Sequence, residues 1–142
     1  MRIGVPKEIK PQENRIGLTP DSVKTLVSEG HEVLVENNGG FEAGFDNDQY
    51  KNAGAKIIEK ATDIFNDAEI IVKVKEPQKV EVEMIKENQI VYTYLHLAAA
   101  KELTEGLVKS KSINIAYETI TVDNGRLPLL APMSAVAGRM SV

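Results

Sequence analysis

Three side chains in this chain of 142 residues are of types that together handle a small charged organic acid: Arg15, Lys75 and His96. An arginine offers a planar fork that grips a carboxylate through two hydrogen bonds. A lysine adds a movable point charge for a carboxylate or carbonyl oxygen. A histidine beside them exchanges protons near neutral pH, and two neighbouring cations lower its pKa. Brought over one crevice, the three suit a 2-oxo or 2-amino acid undergoing proton transfer at C2 or at its nitrogen. Each also has a plainer reading. A lysine near a strand end is usually solvated, and a histidine there is more often a hydrogen-bonded structural residue. Spacing does not bring the three together; the elements that carry them must.

His96 sits in QIVYTYLHLAAA, Gln89 to Ala100, the stretch that organises the chain. Its first part, Gln89 to Leu95, is rich in β-branched and aromatic residues and reads as a buried strand. The three alanines after Leu97, with Lys101-Glu102-Leu103, read as a helix, which puts His96 at the junction. Glu69 to Val74, EIIVKV, is another strand, and Pro77 stops the ladder just after Lys75. Lys73 and Lys75 share a parity and project to one side. Arg2 to Val5 is a first strand ended by Pro6, and Arg15 closes the charged loop behind it. In open α/β sheets, ligands collect outside the carboxyl ends of the strands, where all three residues would then stand.

The remaining elements alternate in the same way. Thr19-Pro20-Asp21 is a helix start, with Val23, Leu26 and Val27 inward and Gly30 as the stop. Glu32 to Glu36 is a strand, preceded by His31, read as a surface residue. Asn37-Asn38-Gly39-Gly40 lacks the G-x-G-x-x-G order of a phosphate loop and reads as a turn. A short helix over Asp46 to Ala53, a strand over Ala55 to Ile58 and a helical turn over Thr62 to Asn66 follow. Val80 to Glu87 reads as helical, as does Lys101 to Lys109, with Leu103, Leu107 and Val108 inward. Ile113 to Tyr117 is the last strand. Pro128 and Pro132 bracket a short extended piece, after which Met133, Val136, Ala137 and Met140 form an apolar helical stripe. Nothing ends that helix, so a truncated polypeptide is expected. Strand and helix in alternation give an α/β fold, a mostly parallel, Rossmann-like or flavodoxin-like sheet flanked by helices.

Composition narrows the classes. The apolar fraction is 42% and the charged fraction 27%, enough for a core in a water-soluble chain. Net charge is −4, from 21 acidic against 17 basic residues, with no basic stripe, which disfavours nucleic acid. The absence of cysteine removes disulfides, thiol catalysis and thiolate metal sites. With no apolar run of membrane-spanning length and no signal peptide, a cytoplasmic protein is expected.

Four blocks resemble one family: MRIGVPKEIKPQENRIGLTP at the start, VKVKEP at Val72 to Pro77, TYLHLA at Thr93 to Ala98, and LPLLAPMSAVAGRM near the end. In this order and at this spacing they resemble alanine dehydrogenase. The resemblance implies NAD as cofactor and interconversion of L-alanine with pyruvate and ammonia. It implies that Arg15 and Lys75 hold the substrate, that His96 is the acid/base catalyst, and that Met133 and Ser134 approach the nicotinamide. No metal is implied. It further implies a homo-oligomer, a hexamer in the full-length family. Residues 1–127 would be the first part of a substrate-binding domain and 128–142 the start of a connecting helix, the NAD-binding domain lying outside this chain. The related transhydrogenase domain shares the opening block but does not keep the lysine of VKVKEP or the histidine of TYLHLA. A stand-alone 2-oxo acid binding module is the other alternative. One departure stands out: Ala135 occupies a position where the motif commonly carries glutamate.

Overall fold

In the computed structural model, which describes residues 1–141, six strands form one sheet with every neighbouring pair parallel. The strands are β1 (Arg2–Val5), β2 (Glu32–Glu36), β3 (Lys56–Ile58), β4 (Ile70–Val72), β5 (Ile90–Thr93) and β6 (Ile113–Ala116). Their spatial order is β3-β2-β1-β4-β5-β6. The chain therefore winds outward from β1 in one direction, then returns to place β4 on its other side. That reversal between β1 and β4 is the switch point at which such sheets open a crevice.

Helices α1 (Pro20–Ser28) and α2 (Asn47–Asn52) cover one face. There Val23 and Tyr50 pack with Ile3, Val5, Val33, Val35 and Val72. Helices α3 (Ala61–Asp67), α4 (Lys79–Val82) and α5 (Lys101–Ser110) follow in order. On the other face Ile64, Phe65 and Leu107 pack with Leu34, Ile71 and Val91. Alternation within single strands explains the division: Val33 and Val35 point one way and Leu34 the other. Local signals set the helix starts. Thr19 accepts from the Ser22 amide to cap α1, and Asp46 with Gln49 makes a capping box for α2. Gly4 lets α3 lie on β1, since a Cβ there would meet Ile64 Cγ2 at 2.5 Å.

Several sequence expectations need correction. The strand expected over Glu69 to Val74 pairs only from Ile70 to Val72, and the one over Gln89 to Leu95 only from Ile90 to Thr93. Helix α4 is a single turn, not the span Val80 to Glu87. Glu81 turns inward, and a positive φ at Asn88 bends the chain toward β5. The alanines after His96 make a 3-10 turn, Leu97–Ala99, and α5 begins only at Lys101. Val108 is 73% exposed: Leu103 and Leu107, four apart, define the inward face, and Val108 falls a hundred degrees round from it. No extended piece separates the two late prolines. Helix α6 (Leu130–Met140) carries Pro132 in its first turn, where the missing N–H has no partner to lose. Among the described residues no helix is long and apolar enough to cross a membrane.

Candidate functional site

The carboxyl ends of β1, β4 and β5 are neighbours, and each is followed by one of the three residues singled out above. Arg15 lies in the loop after β1, Lys75 three residues past the end of β4, and His96 three past the end of β5. Gly17 seats the first loop directly on β4, because a Cβ there would meet the Val72 carbonyl oxygen at 2.5 Å.

Arg15 is held from within its own loop. Its Nε donates to Glu13 Oε1 at 2.7 Å and its Nη2 to Glu13 Oε2 at 2.6 Å. This side-on pairing consumes two of five N–H groups and leaves the Nη1–Nη2 edge as a second fork. The Arg15 hydrogen bonds hold the Glu13 carboxyl below its ordinary value against the effect of burial, with the Lys75 charge acting in the same direction. Burial raises the Tyr94 phenol, and the Arg15 charge opposes that shift. Arg15 and Tyr94 line the same groove, and the Tyr94 ring stacks on the His96 imidazole with centroids 6.3 Å apart and planes 14° from parallel. Arg15 Nη1 also lies 3.8 Å from Met133 Sδ on α6. Ser134, the next residue, is exposed.

Lys75 is fixed through its backbone. Its carbonyl accepts from Thr93 Oγ1 at 2.9 Å, and its amide donates to Glu8 Oε1 at 3.3 Å. Glu8 also accepts from the Val74 amide at 2.7 Å and from Lys73 Nζ at 2.9 Å. Lys73 Nζ lies 2.7 Å from Glu81 Oε1 as well. This triad is buried, with the Lys73 side chain fully covered and those of Glu8 and Glu81 2% exposed. Burial raises the Glu81 carboxyl even with the Lys73 charge pulling it down. Lys73 is committed inside the protein, so Lys75 is the lysine that this strand end presents outward.

An apolar groove of about 690 Å³ runs along the sheet face beside these loops, and Arg15, Lys73, Val74, Tyr94, Tyr117 and Met133 help to line it. Lys75 and His96 do not. Sequence reading missed Glu13 and the triad. Lys73 carried a signal: a charge inside an apolar central strand requires a buried counter-charge. Glu13, one acid in a charged loop, carried none.

A six-stranded parallel sheet that reverses direction at β1, with helices on both faces, belongs to the class of Rossmann-like α/β folds. Comparison with known proteins narrows the class. Residues 4–137 match the family model described as "Alanine dehydrogenase/PNT, N-terminal domain". Over 141 residues, 99% of the chain, it is 52% identical to an alanine dehydrogenase of Staphylococcus epidermidis, covering 38% of that protein's length. A solved L-alanine dehydrogenase superposes on the whole chain with a TM-score of 0.96 at 52% identity, the match covering 39% of that structure. A transhydrogenase from Sinorhizobium meliloti matches less well, at TM-score 0.81 and 25% identity over 87% of this chain and 35% of its own. The chain belongs to the alanine dehydrogenase/PNT N-terminal domain family.

Proposed function

We propose that this chain is the N-terminal part of an NAD-dependent alanine dehydrogenase, which converts L-alanine, NAD+ and water to pyruvate, ammonium, NADH and a proton. The observation that carries the reading is the placement of Arg15, Lys75 and His96 after the carboxyl ends of three neighbouring strands at the switch point. The outer fork of Arg15 binds the substrate carboxylate, and Lys75 supplies a point charge to the carboxylate and carbonyl side. His96 takes and returns the proton exchanged at the substrate nitrogen or oxygen. Residues 1–127 form the first part of the substrate-binding domain, and 128–142 open the connecting helix. The full enzyme is a cytoplasmic homo-oligomer.

The residues present suit only one end of the cofactor. Met133 next to Arg15, with Ser134 exposed beside it, can meet an edge of the nicotinamide. No G-x-G-x-x-G fingerprint for the pyrophosphate occurs in the chain. NAD is accordingly held mainly by a domain outside these 142 residues, and when bound it accepts or returns the hydride.

The test uses a full-length alanine dehydrogenase that carries this chain as its N-terminal part. His96→Ala should lower kcat by about 10²–10⁴-fold with a smaller change in the KM for pyruvate. Lys75→Ala should damage both. Near-normal turnover of His96→Ala would remove His96 from the acid/base role.

A further inference from the structure

We infer that Glu118 is a positioning residue for His96, acting on its backbone and leaving its imidazole free; the inference rests on the acid/base reading of His96. His96 has φ 51° and ψ 38°, the left-handed region that a residue with a Cβ occupies only when its surroundings impose it. The sheet itself does not impose it. Strand β5 ends at Thr93 and its neighbour β6 at Ala116; the Tyr94 amide still donates to the Val74 carbonyl at 3.3 Å, but among the described residues the Leu95 and His96 amides have no backbone acceptor.

Glu118 supplies what the ladder no longer does. It lies in the 3-10 turn Tyr117–Thr119 that follows β6, and its carboxylate reaches back across to β5. Its Oε1 accepts from the His96 amide at 2.7 Å and from the Leu95 amide at 3.1 Å, with Oε2 at 3.2 Å from the latter. Charge-assisted bonds to two consecutive N–H groups fix the peptide plane between them, and with it the turn at His96. The position of Glu118 is set in turn by Tyr117, packed edge-on against Tyr92 and Tyr94 with centroids 4.3 Å and 4.9 Å away. The Tyr94 ring then stacks on the His96 imidazole. The backbone of His96 is thus tied to β6 by Glu118, while its ring rests on β5's own extension. Glu8 makes the equivalent bond pair to Val74 and Lys75 at the end of β4. Both outward-facing strand ends are therefore clamped by a carboxylate from the following loop of a neighbouring strand.

The experiment measures steady-state kinetics in the same full-length enzyme. Glu118→Ala is expected to lower kcat at least tenfold with the KM for pyruvate within twofold of normal. Glu118→Gln, which keeps an acceptor oxygen for both amides, is expected to restore most of that loss. In a His96→Ala background, Glu118→Ala is expected to add no further loss, because it acts through a group already removed. Should Glu118→Ala fail to fold, Glu118→Asp, whose carboxylate sits one methylene short of the amides, is read in its place. Two outcomes overturn the proposal while the acid/base reading survives: normal kcat for the Glu118 variant beside a slow His96→Ala, or losses that multiply in the double variant. A His96→Ala enzyme of normal turnover overturns both readings together, which separates the two failures.

Discussion

Arg15 spends two of its donors on Glu13 and leaves its Nη1–Nη2 edge, the fork that the proposed function assigns to the substrate carboxylate, so a neighbour in sequence orients it. Removing that neighbour loosens the guanidinium but leaves its charge. Glu13→Ala should therefore raise the KM for pyruvate several-fold, corresponding to about 1 kcal/mol, with kcat little changed. Arg15→Lys should cost more, since an ammonium cannot present a planar fork. Steady-state kinetics decide: a Glu13→Ala enzyme with normal KM and depressed kcat would place Glu13 in the chemistry. At this scale the sequence was informative about residues whose type is unusual for their place. Arg15, Lys75 and His96 stood out at segment ends. Glu13 and Glu118 did not, because their work is hydrogen bonding across folds of the chain, and an acid in a polar loop looks the same whether or not it has a partner.

The end of β4 shows what a single element demands of distant ones. Lys73 directly follows the apolar strand β4 with its side chain fully buried, and the fold answers with Glu8 and Glu81. The charge in EIIVKV was a signal that the sequence reading did not use. The identity of its partner was hidden, since Glu8 lies 65 residues away in the chain. Glu81 also closes the capping box with Gln78 that starts α4, which is one turn long where Val80 to Glu87 was expected to be helical. Removing the cation leaves two buried carboxylates uncompensated, so Lys73→Met should cost about 3–5 kcal/mol at pH 7. The pH dependence follows from Glu81, whose carboxyl is raised by burial. A raised carboxyl adds stability below its unfolded value and loses it as pH rises through the folded value. Without Lys73 that upward shift grows, so the deficit should be smaller at pH 5 than at pH 7. Urea denaturation at the two pH values provides the measurement, and an equal deficit at both would mean that the carboxylates had found another partner or water.

For the molecule as a whole, the alternation of strand and helix made the parallel α/β class legible, while the strand order with its reversal between β1 and β4 was not, because handedness fixes the face of each crossover and not the edge on which the next strand joins. The least legible part was the last, where two prolines suggested an extended link and a helix formed instead. That helix, α6, meets the rest of the chain near its start. Tyr94 Oη donates to the Leu129 carbonyl at 2.8 Å, and Met133 reaches Arg15. Beyond this point its apolar stripe faces water, with Met133 37%, Val136 51% and Met140 80% exposed. Burying one such side chain fully is worth roughly 1.5–3 kcal/mol, so leaving the stripe in water is costly. An isolated helix of this length is marginal in water and draws most of its stability from packing. In a dilute, monomeric sample of the 142-residue chain, the amides from Val136 to Met140 should therefore exchange with solvent almost as fast as in a free peptide. The amides of β1 and β5 should be strongly protected in the same sample. In the full-length enzyme proposed above, the helix amides should become protected if the connecting helix packs its stripe there, and the same exchange measurement checks it. Strong protection of Val136 to Met140 in the monomer would show that α6 is held by contacts other than those between its start and the loop of Arg15.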